Sequence, residues 1–346
     1  MRWFALLVAG LALLAGVAAA VSGGGMQAQA RWVITDLGTL ADSQATAINN
    51  RGQIVGTISK DELLTWPDGT RSFLWTKGKV HRLAALRGLK YSEARDINDH
   101  GQIVGWSFSA DENRRLSVPF RAILWANGRV GALGSRGRES EAQAINEKGQ
   151  VVGYLAALKK PLFPPEGPKT LPSAGVMWES GLMHDLHAGS DSTAEAINER
   201  GQIVGTSHNG ERGWFRRSAG SNTTCDLGRI DWVHAINDYG WVVGGRNGHA
   251  TVWENCKPRD LATVAREESM AWDINNRGQI VGSWQRSRSS EVFRAALWEN
   301  RKLTLLPNLP GGTSNEALSI NEEGQIVGSA ETRSGDFHAV LWTLKR

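Results

Sequence analysis

Small and larger residues alternate with a period of two in a segment that recurs along the chain, as in Ser140 to Asn146, and this alternation predicts β-strands. The segment leads into the string Ala-Ile-Asn-x-x-Gly-Gln-Ile-Val-Gly, which occurs seven times with small variations. The pattern lacks both the leucine ladder of leucine-rich repeats and the 3.6-residue period of helical repeats, so we expect almost no helix. The repeated asparagines are Asn49, Asn98, Asn146, Asn198, Asn237, Asn275 and Asn321.

The repeat recurs about every 45 residues, which is the length of a four-stranded propeller blade. The first strand of each unit ends at Ile-Asn. The Asn-x-x-Gly sequence then favours a tight turn, because Asn can bond the backbone two residues on and Gly can adopt a positive φ. The second strand is Gln-Ile-Val-Gly, the third ends at a Trp, and the fourth ends at Asp-Leu in several units. We expect these Trp residues to pack between blades, and the fourth unit departs from the pattern with Arg216 in this position. The six tryptophans are Trp75, Trp125, Trp178, Trp253, Trp298 and Trp342.

The two ends of the repeat region indicate how the ring closes. The seventh unit has only four residues after Trp342, too few for a complete fourth strand. The segment from Trp32 to Gly38 resembles a fourth strand with no unit before it. We therefore predict an all-β, seven-bladed β-propeller with four antiparallel strands per blade, in which the N-terminal strand closes the last blade. Residues 31–346 form one domain in this interpretation, which we prefer to an open β-solenoid.

Residues 1–30 have the features of a signal peptide. Arg2 precedes an apolar run from Trp3 to Val21, and Ala28-Gln29-Ala30 has the form of a cleavage site. Cleavage after Ala20 and a retained transmembrane anchor are the alternatives. The sequence predicts export to the periplasm or the extracellular space, with no membrane span after cleavage.

The amino-acid composition limits the kinds of ligand and cofactor that the protein could bind. The net charge is only +4, and Lys and Arg are scattered, which argues against a nucleic-acid partner. Cys225 and Cys256 could form a disulfide in an oxidising compartment or remain two free thiols. No cysteine spacing suggests a metal site, and the Asn-x-x-Gly turns have too few carboxylates for Ca²⁺. We predict neither a metal nor a cofactor.

The repeat resembles the bacterial HAF-repeat family of extracellular proteins, named for a His-Ala-Phe triplet before the third-strand aromatic residue. The dipeptides His249-Ala250 and His338-Ala339 match two residues of this triplet, whereas Arg121-Ala122 and Arg294-Ala295 replace the first. The resemblance covers nearly all of residues 31–346. It implies export and repeated β-structure, and it implies no particular activity.

The differences between repeats suggest where a ligand would bind. Connections between second and third strands are long in the first three units, at about residues 59–70, 109–119 and 157–173, and short in the fourth and fifth. They share one face of the disc with the links between blades. This variable-loop face would have the shape of a cleft, although neutral drift in loop length is an equal alternative.

A basic residue stands four positions before the third-strand Trp, or its substitute, in six of the units. A ring of such cations could bind an anionic ligand such as an acidic polysaccharide. Alternatively, each base pairs with an acid such as Glu93, Glu141, Glu195 or Glu316. The candidate ligand-binding residues are Arg71, Arg121, Arg212, His249, Arg294 and His338.

Further tryptophans outside the repeat positions suit either stacking on sugars or burial between blades. These are Trp66, Trp106, Trp232, Trp272 and Trp284.

These features favour a secreted binding module that recognises surface glycans or a cell-surface or envelope protein. The alternatives are a polysaccharide-active lyase or hydrolase with its site on the same face, and a purely scaffolding role in the envelope. No Ser/His/Asp order, HExxH helix or glycine-rich phosphate loop is present, so no catalytic residue is assigned. Clustered acids with His or Tyr at the channel mouth would favour an enzyme, and Trp with Arg would favour a lectin.

Overall fold

The computed structural model describes residues 30–38, 42–58, 71–110, 116–156, 158–159, 170–208, 210–218, 224–261, 267–287 and 289–345. The predicted signal peptide lies outside these ranges except for Ala30, as does Trp66. Within these ranges the chain forms strands and turns, and no helix is long and apolar enough to cross a bilayer.

The strands form seven four-stranded antiparallel sheets, which are the blades, and one short additional hairpin. The N-terminal strand, β1 (Arg31–Asp36), precedes blade 1. Blade 1 contains β2 (Ser43–Ile48), β3 (Ile54–Ile58), β4 (Arg71–Thr76) and β5 (Lys79–Arg82). Blade 2 contains β6 (Tyr91–Ile97), β7 (Ile103–Ala110), β8 (Leu116–Ala126) and β9 (Arg129–Ala132). Blade 3 contains β10 (Ser140–Ile145), β11 (Val151–Leu155), β14 (Ala174–Glu179) and β15 (Leu182–Asp185), with the hairpin of β12 (Leu158–Lys159) and β13 (Thr170–Leu171) between β11 and β14.

The remaining blades repeat this order. Blade 4 contains β16 (Thr193–Ile197), β17 (Ile203–Ser207), β18 (Arg212–Arg216) and β19 (Thr224–Arg229). Blade 5 contains β20 (Trp232–Ile236), β21 (Val242–Arg246), β22 (His249–Glu254) and β23 (Lys257–Asp260). Blade 6 contains β24 (Glu268–Ile274), β25 (Ile280–Gln285), β26 (Arg294–Glu299) and β27 (Lys302–Leu305). Blade 7 contains β28 (Asn315–Ile320), β29 (Ile326–Glu331), β30 (Phe337–Lys345) and β1.

The blades form a closed ring around an axis. The first strand of every blade contacts the first strands of both neighbours, so these seven strands are innermost. Strand β1 pairs antiparallel with β30, which places Ile34 opposite Trp342 and completes blade 7. The prediction of a seven-bladed propeller closed by its N-terminal strand is confirmed. The Asn-x-x-Gly turns lie on one face, here called the turn face, and the second–third and fourth–first connections lie on the other, here called the variable face.

The hydrophobic core is divided into seven clusters, and each cluster joins two adjacent blades. The third-strand tryptophans are central to it, since Trp253 and Trp342 are fully buried. Burial of one such indole stabilises the fold by roughly 2–3 kcal/mol through the area removed from water. The ring is therefore held together mainly by contacts between blades.

Four third-strand indoles, those of Trp125, Trp178, Trp253 and Trp342, also donate a hydrogen bond to a carbonyl of the preceding blade. Trp125 Nε1 bonds the carbonyl of Ala84 at 2.7 Å, and Trp178 Nε1 bonds that of Gly134 at 2.6 Å. In blade 4 the buried Arg216 stands opposite Ile203, the register that the Trp occupies elsewhere, and its guanidinium bonds the carbonyl of Leu186. Arg216 thus donates a hydrogen bond to the preceding blade, as several of the indoles do.

The repeated asparagines form a second connection between blades. Within its own turn, the oxygen of Asn146 accepts the amides of Lys148 and Gln150 at 3.1 and 3.0 Å. Its amide nitrogen donates to the carbonyl of Asn198 in the next blade at 3.1 Å. All seven asparagines donate in the same direction, and Asn321 returns to the carbonyl of Asn49 at 3.0 Å. The hydrogen bonds therefore form a closed cycle around the turn face.

Each first strand contains a β-bulge at the same point of its pairing with the second strand. The second-strand glycine of the repeat fits against this bulge. A Cβ at Gly105 would lie 1.8 Å from the carbonyl oxygen of Glu93, so no larger residue fits there. A bulge re-aims the residue that it leaves unpaired, and here that residue belongs to the innermost strand.

The long second–third connections differ in part from the expectation. In blade 2, Ser109 and Ala110 continue the pairing with β8, which begins at Leu116, so the described parts of the expected connection, 109–110 and 116–119, are strand. In blade 3, the connection contains the hairpin of β12 and β13. The connection at 59–70 lies outside the described residues.

Candidate functional site

The first strands repeat closely except at two positions, which are the second and fourth residues of Ser-x-Ala-x-Ala-Ile-Asn and its variants. The fourth position is the residue within the bulge. The second-position residues are Gln44, Glu93, Glu141, Thr193, Trp232, Met270 and Glu316, and the fourth-position residues are Thr46, Arg95, Gln143, Glu195, His234, Trp272 and Leu318. These fourteen side chains stand on the innermost strands and give the channel its chemistry.

Blades 2 to 4 contribute most of the charged side chains. Arg95 lies 3.9 Å from Glu93 and stacks over Trp106 at 4.3 Å. Its charge also acts on Glu141 in blade 3 and Glu195 in blade 4, so the guanidinium is directed toward the axis. This side of the channel combines one cation with three carboxyl groups.

Burial shifts the titration of these acids. It raises the pKa of Glu141 to about 7, although the hydrogen bond with Tyr154 and the charge of Arg95 partly offset the effect. Burial likewise raises the pKa of Glu195 and of Glu93. The pKa of Tyr154 lies above its ordinary value because the phenol is buried beside Glu141. Glu141 therefore changes its protonation state near neutral pH, whereas the Tyr154 phenol stays protonated and donates its hydrogen bond to the Glu141 carboxyl.

Blades 5 and 6 contribute mainly aromatic and apolar side chains. The His234 ring packs against the Trp272 ring with centroids 4.2 Å apart. Burial lowers the pKa of His234 to about 4, so its imidazole is neutral at pH 7. His234 Nε2 and Trp272 Nε1 are buried without a hydrogen-bond partner in the described part of the chain. Trp232 stands at the variable face with 58% of its surface exposed.

A cavity of about 600 Å³ opens beside the aromatic side, where blades 5, 6 and 7 meet the variable face. This volume is within the range of small-ligand sites. Its walls contain aromatic and apolar groups, three acids and short polar side chains. The described lining residues are Asp231, Trp232, Asn247, Gly248, Glu268, Ser269, Met270, Trp272, Ser283, Gln285, Phe293 and Glu316. We call this cavity the blade 5–7 pocket.

Among the acids of the pocket, Glu316 has the fewest stabilising contacts from the protein. Asp231 accepts the amide of Gly248 at 2.6 Å, whereas within the described residues Glu316 has neither a hydrogen bond nor an ion pair. Its pKa is raised by burial, with no opposing contribution from Arg95. The carboxyl of Glu316 is thus a polar group that the protein leaves available to a ligand.

The basic residues predicted as a ring stand on the third strands, which are third from the axis in each blade, and all except Arg121 within β8 are at or next to a strand start. Arg121 donates to the carbonyls of Phe120 and Arg138 at 3.3 and 3.1 Å, and Arg294 donates to that of Leu306 at 3.3 Å. The guanidinium groups of these two arginines are thus hydrogen-bonded to backbone carbonyls of the protein.

The other predicted bases stand at or next to strand starts. Arg212 pairs with Asp226, and His338 Nδ1 lies 2.8 Å from Asp36. His249 begins β22, and the side chain of Arg71, which begins β4, is outside the described atoms. The structure therefore does not bring these bases together around the axis.

The acids suggested as partners, Glu93, Glu141, Glu195 and Glu316, stand on the innermost strands, and within the described residues none of them pairs with Arg121, Arg212, Arg294 or His338. Fourth-strand aspartates pair with two of the bases. A sequence signal for the channel residues existed but was missed: the two variable positions interrupt a first strand that otherwise repeats.

Two further groups of predicted residues have clear positions. Cys225 of β19 and Cys256 of the β22–β23 turn form a disulfide between blades 4 and 5, with Cα atoms 6.5 Å apart. Among the non-repeat tryptophans, Trp106 is buried and Trp284 donates to Glu267 at 3.0 Å, whereas Trp232 is exposed. In the described ranges, no group of three His, Cys, Asp or Glu side chains could hold a metal ion.

Comparison with known proteins shows the fold. No family profile matches the chain, and no curated protein matches it. The β-propeller domain of the Trilobed protease from Pyrococcus furiosus, described as having an open velcro topology, gives a TM-score of 0.55 at 10% identity over 89% of this chain and 96% of that domain.

Two longer solved structures also match. An acylaminoacyl peptidase from Pyrococcus horikoshii gives a TM-score of 0.56 at 10% identity, over 88% of this chain and 51% of that one. A puromycin-hydrolyzing peptidase from Mycobacterium tuberculosis gives 0.54 at 11% identity, over 86% of this chain and 53% of that one. This chain spans about half the length of these two peptidases. The chain is therefore similar to known β-propellers in fold.

Proposed function

We propose that the protein acts outside the cytoplasm as a glycan-binding propeller and that the blade 5–7 pocket holds the ligand. The observation that carries this proposal is the combination of exposed aromatic surface and polar groups in one cavity of about 600 Å³. Trp232 and Phe293 expose 58% and 37% of their surfaces at this pocket. Aromatic faces pack against the C–H face of a sugar ring, while Gln285 and Ser283 can bond its hydroxyls.

A glycan-array screen of the purified protein tests this proposal. We expect binding that falls at least tenfold in Trp232→Ala, because the variant removes the exposed indole of the pocket. Tyr239→Ala is the matched control, since Tyr239 is 65% exposed but lies in an Asn-x-x-Gly turn on the opposite face. Equal losses in both variants, or no binding by the folded protein, would contradict the proposal.

The predicted ring of bases remains a competing site on the same face. An Arg121→Ala, Arg294→Ala double variant in the same screen distinguishes the two. Loss of binding to acidic glycans in this variant, with Trp232→Ala unaffected, would assign the ligand to the bases. Retention of binding in the double variant would support the pocket.

A polysaccharide-cleaving activity is the second candidate, and Glu141 is the observation that favours it. Its pKa of about 7 and its hydrogen bond with Tyr154 suit a general acid or base at neutral pH. Release of reducing ends from a polysaccharide, abolished in Glu141→Gln, would support an enzyme. Binding without release by the wild-type protein would favour the lectin.

A further inference from the structure

We propose that the blade 5–7 pocket selects sugars bearing a protonated amine over N-acetylated and acidic sugars. This inference rests on the glycan-binding function proposed above and names the class of sugar. It differs from the acidic ligand that the sequence suggested, because the described walls of the pocket are acidic.

The charge of the pocket is the first argument. Its described lining residues include Asp231, Glu268 and Glu316, and they include no Lys, Arg or His. A uronic acid would bring a further negative charge into this cavity, which like-charge repulsion disfavours. An ammonium group would instead reduce the accumulated negative charge. The pocket therefore complements a cation.

The position of Glu316 makes this complementarity specific. Its carboxyl faces the pocket from the first strand of blade 7 and has no protein partner within the described residues. A half-buried carboxylate with no protein partner is poorly stabilised, and a charge-assisted hydrogen bond from an ammonium group would stabilise it. An N-acetyl group can donate one neutral hydrogen bond but supplies no charge. The amine should consequently bind more tightly at this residue.

The remaining walls favour a sugar over a lysine side chain. The cavity of about 600 Å³ is much larger than one alkylamine, and Trp232, Phe293 and Trp272 provide ring-sized apolar surfaces. Ser283 and Gln285 add short polar side chains that can bond sugar hydroxyls. Amino sugars combine the hydroxyl, the apolar face and the cation.

Isothermal titration of the purified protein with four probes tests the inference. The probes are a glucosamine hexamer, an N-acetylglucosamine hexamer, a galacturonic acid hexamer and hexalysine. We expect the glucosamine hexamer to bind at least tenfold more tightly than the acetylated hexamer at pH 6, with no measurable binding of the galacturonic acid hexamer.

Two matched variants assign the preference to the pocket. Glu316→Gln should reduce the ratio of the two glucosamine affinities to near one, and the near-isosteric neutral side chain should preserve the fold. Glu323→Gln makes the same change at an exposed residue of blade 7 on the turn face and should leave the ratio unchanged. A ratio that persists in Glu316→Gln would overturn the assignment to this residue.

The outcomes separate this inference from the proposed function. Equal affinity for the two hexamers, or tighter binding of the acetylated one, would overturn the amine preference and leave glycan binding intact. Binding of neither hexamer would overturn the amine preference, and failure of the wider glycan screen as well would overturn the proposed function. Hexalysine binding as tightly as the glucosamine hexamer would overturn recognition of a sugar.

Discussion

Replacing Asn275 with Asp would separate the two roles of the repeated asparagine, because Asp keeps the acceptor oxygen and loses the amide donor. The Asn275 oxygen accepts the amides of Arg277 and Gln279, both at 3.1 Å, and these bonds build the turn. Its nitrogen donates to the carbonyl of Asn321 in the next blade at 3.1 Å and to Gln279 Oε1 at 2.7 Å. The substitution therefore preserves the turn and opens the interblade cycle.

The expected magnitude follows from the two lost donors. Asn275 is only 3% exposed, so the acceptors that lose their partner have little access to water. Leaving a buried acceptor unsatisfied costs about 1–2 kcal/mol, which gives about 2–4 kcal/mol for the pair. If Asn275 served only the turn, Asp would form the same side-chain-to-backbone bonds, and the only cost would be the burial of its carboxylate.

Urea denaturation at pH 7 measures the free energy of unfolding. Asn300→Asp is the matched control, since Asn300 lies exposed in the outer β26–β27 turn of the same blade, and we expect it to change stability by less than about 0.5 kcal/mol. At pH 4 the deficit of Asn275→Asp relative to wild type should shrink, because the protonated carboxyl regains one donor. A deficit below about 1 kcal/mol at pH 7 would refute the interblade role.

Three further predictions address stability. Burial raises the pKa of Glu141 from 4.5 to about 7, so the folded state holds this proton more tightly and loses stability as pH rises across that window. Glu141→Gln should consequently be more stable than wild type at pH 8 by up to about 3 kcal/mol and equal to it at pH 4, which thermal unfolding at both pH values checks. Cys225→Ala with Cys256→Ala should lower the unfolding free energy by about 3–4 kcal/mol, as expected for a cross-link spanning 31 residues; an unchanged melting temperature would contradict this. Arg121→Ala should lower it by about 1.5–3 kcal/mol through lost charged hydrogen bonds while leaving the glycan-array profile unaltered.

The sequence predicted the blades well because short stretches of the chain determine where each strand begins and ends. The Asn-x-x-Gly turns and the period-two strands depend on residues that are near neighbours in the chain. The closure of the ring followed from the missing fourth strand after Trp342 and the unpaired strand at the N-terminus. Ile34 pairs with Trp342 as the strand count required. Repetition also made the interblade burial of the third-strand tryptophans predictable, since each blade must cover the next.

The candidate site depends on features that local patterns do not contain. The β-bulge at Arg95 does not alter the alternation of residue types along the strand, so the sequence does not show that the bulge changes the direction of this side chain. The partners of His338 and Arg212 are fourth-strand aspartates, one of them 302 residues away, and only the closed ring brings them together. Arg216 replaces an indole yet donates a hydrogen bond to a carbonyl of the preceding blade, a substitution that no propensity predicts.

The cycle of asparagine hydrogen bonds has a practical consequence for protein engineering. It helps to set blade spacing from the turn face, because every donor and acceptor belongs to a turn there. Segments grafted between second and third strands should therefore leave the angular spacing of the blades unchanged. The short connection between Arg246 and His249 belongs to blade 5, which is cross-linked to blade 4. An insertion there should leave the blade spacing intact but alter the blade 5–7 pocket, because Asn247 and Gly248 line it. Each of the seven blades thus offers one such connection for multivalent display around one axis.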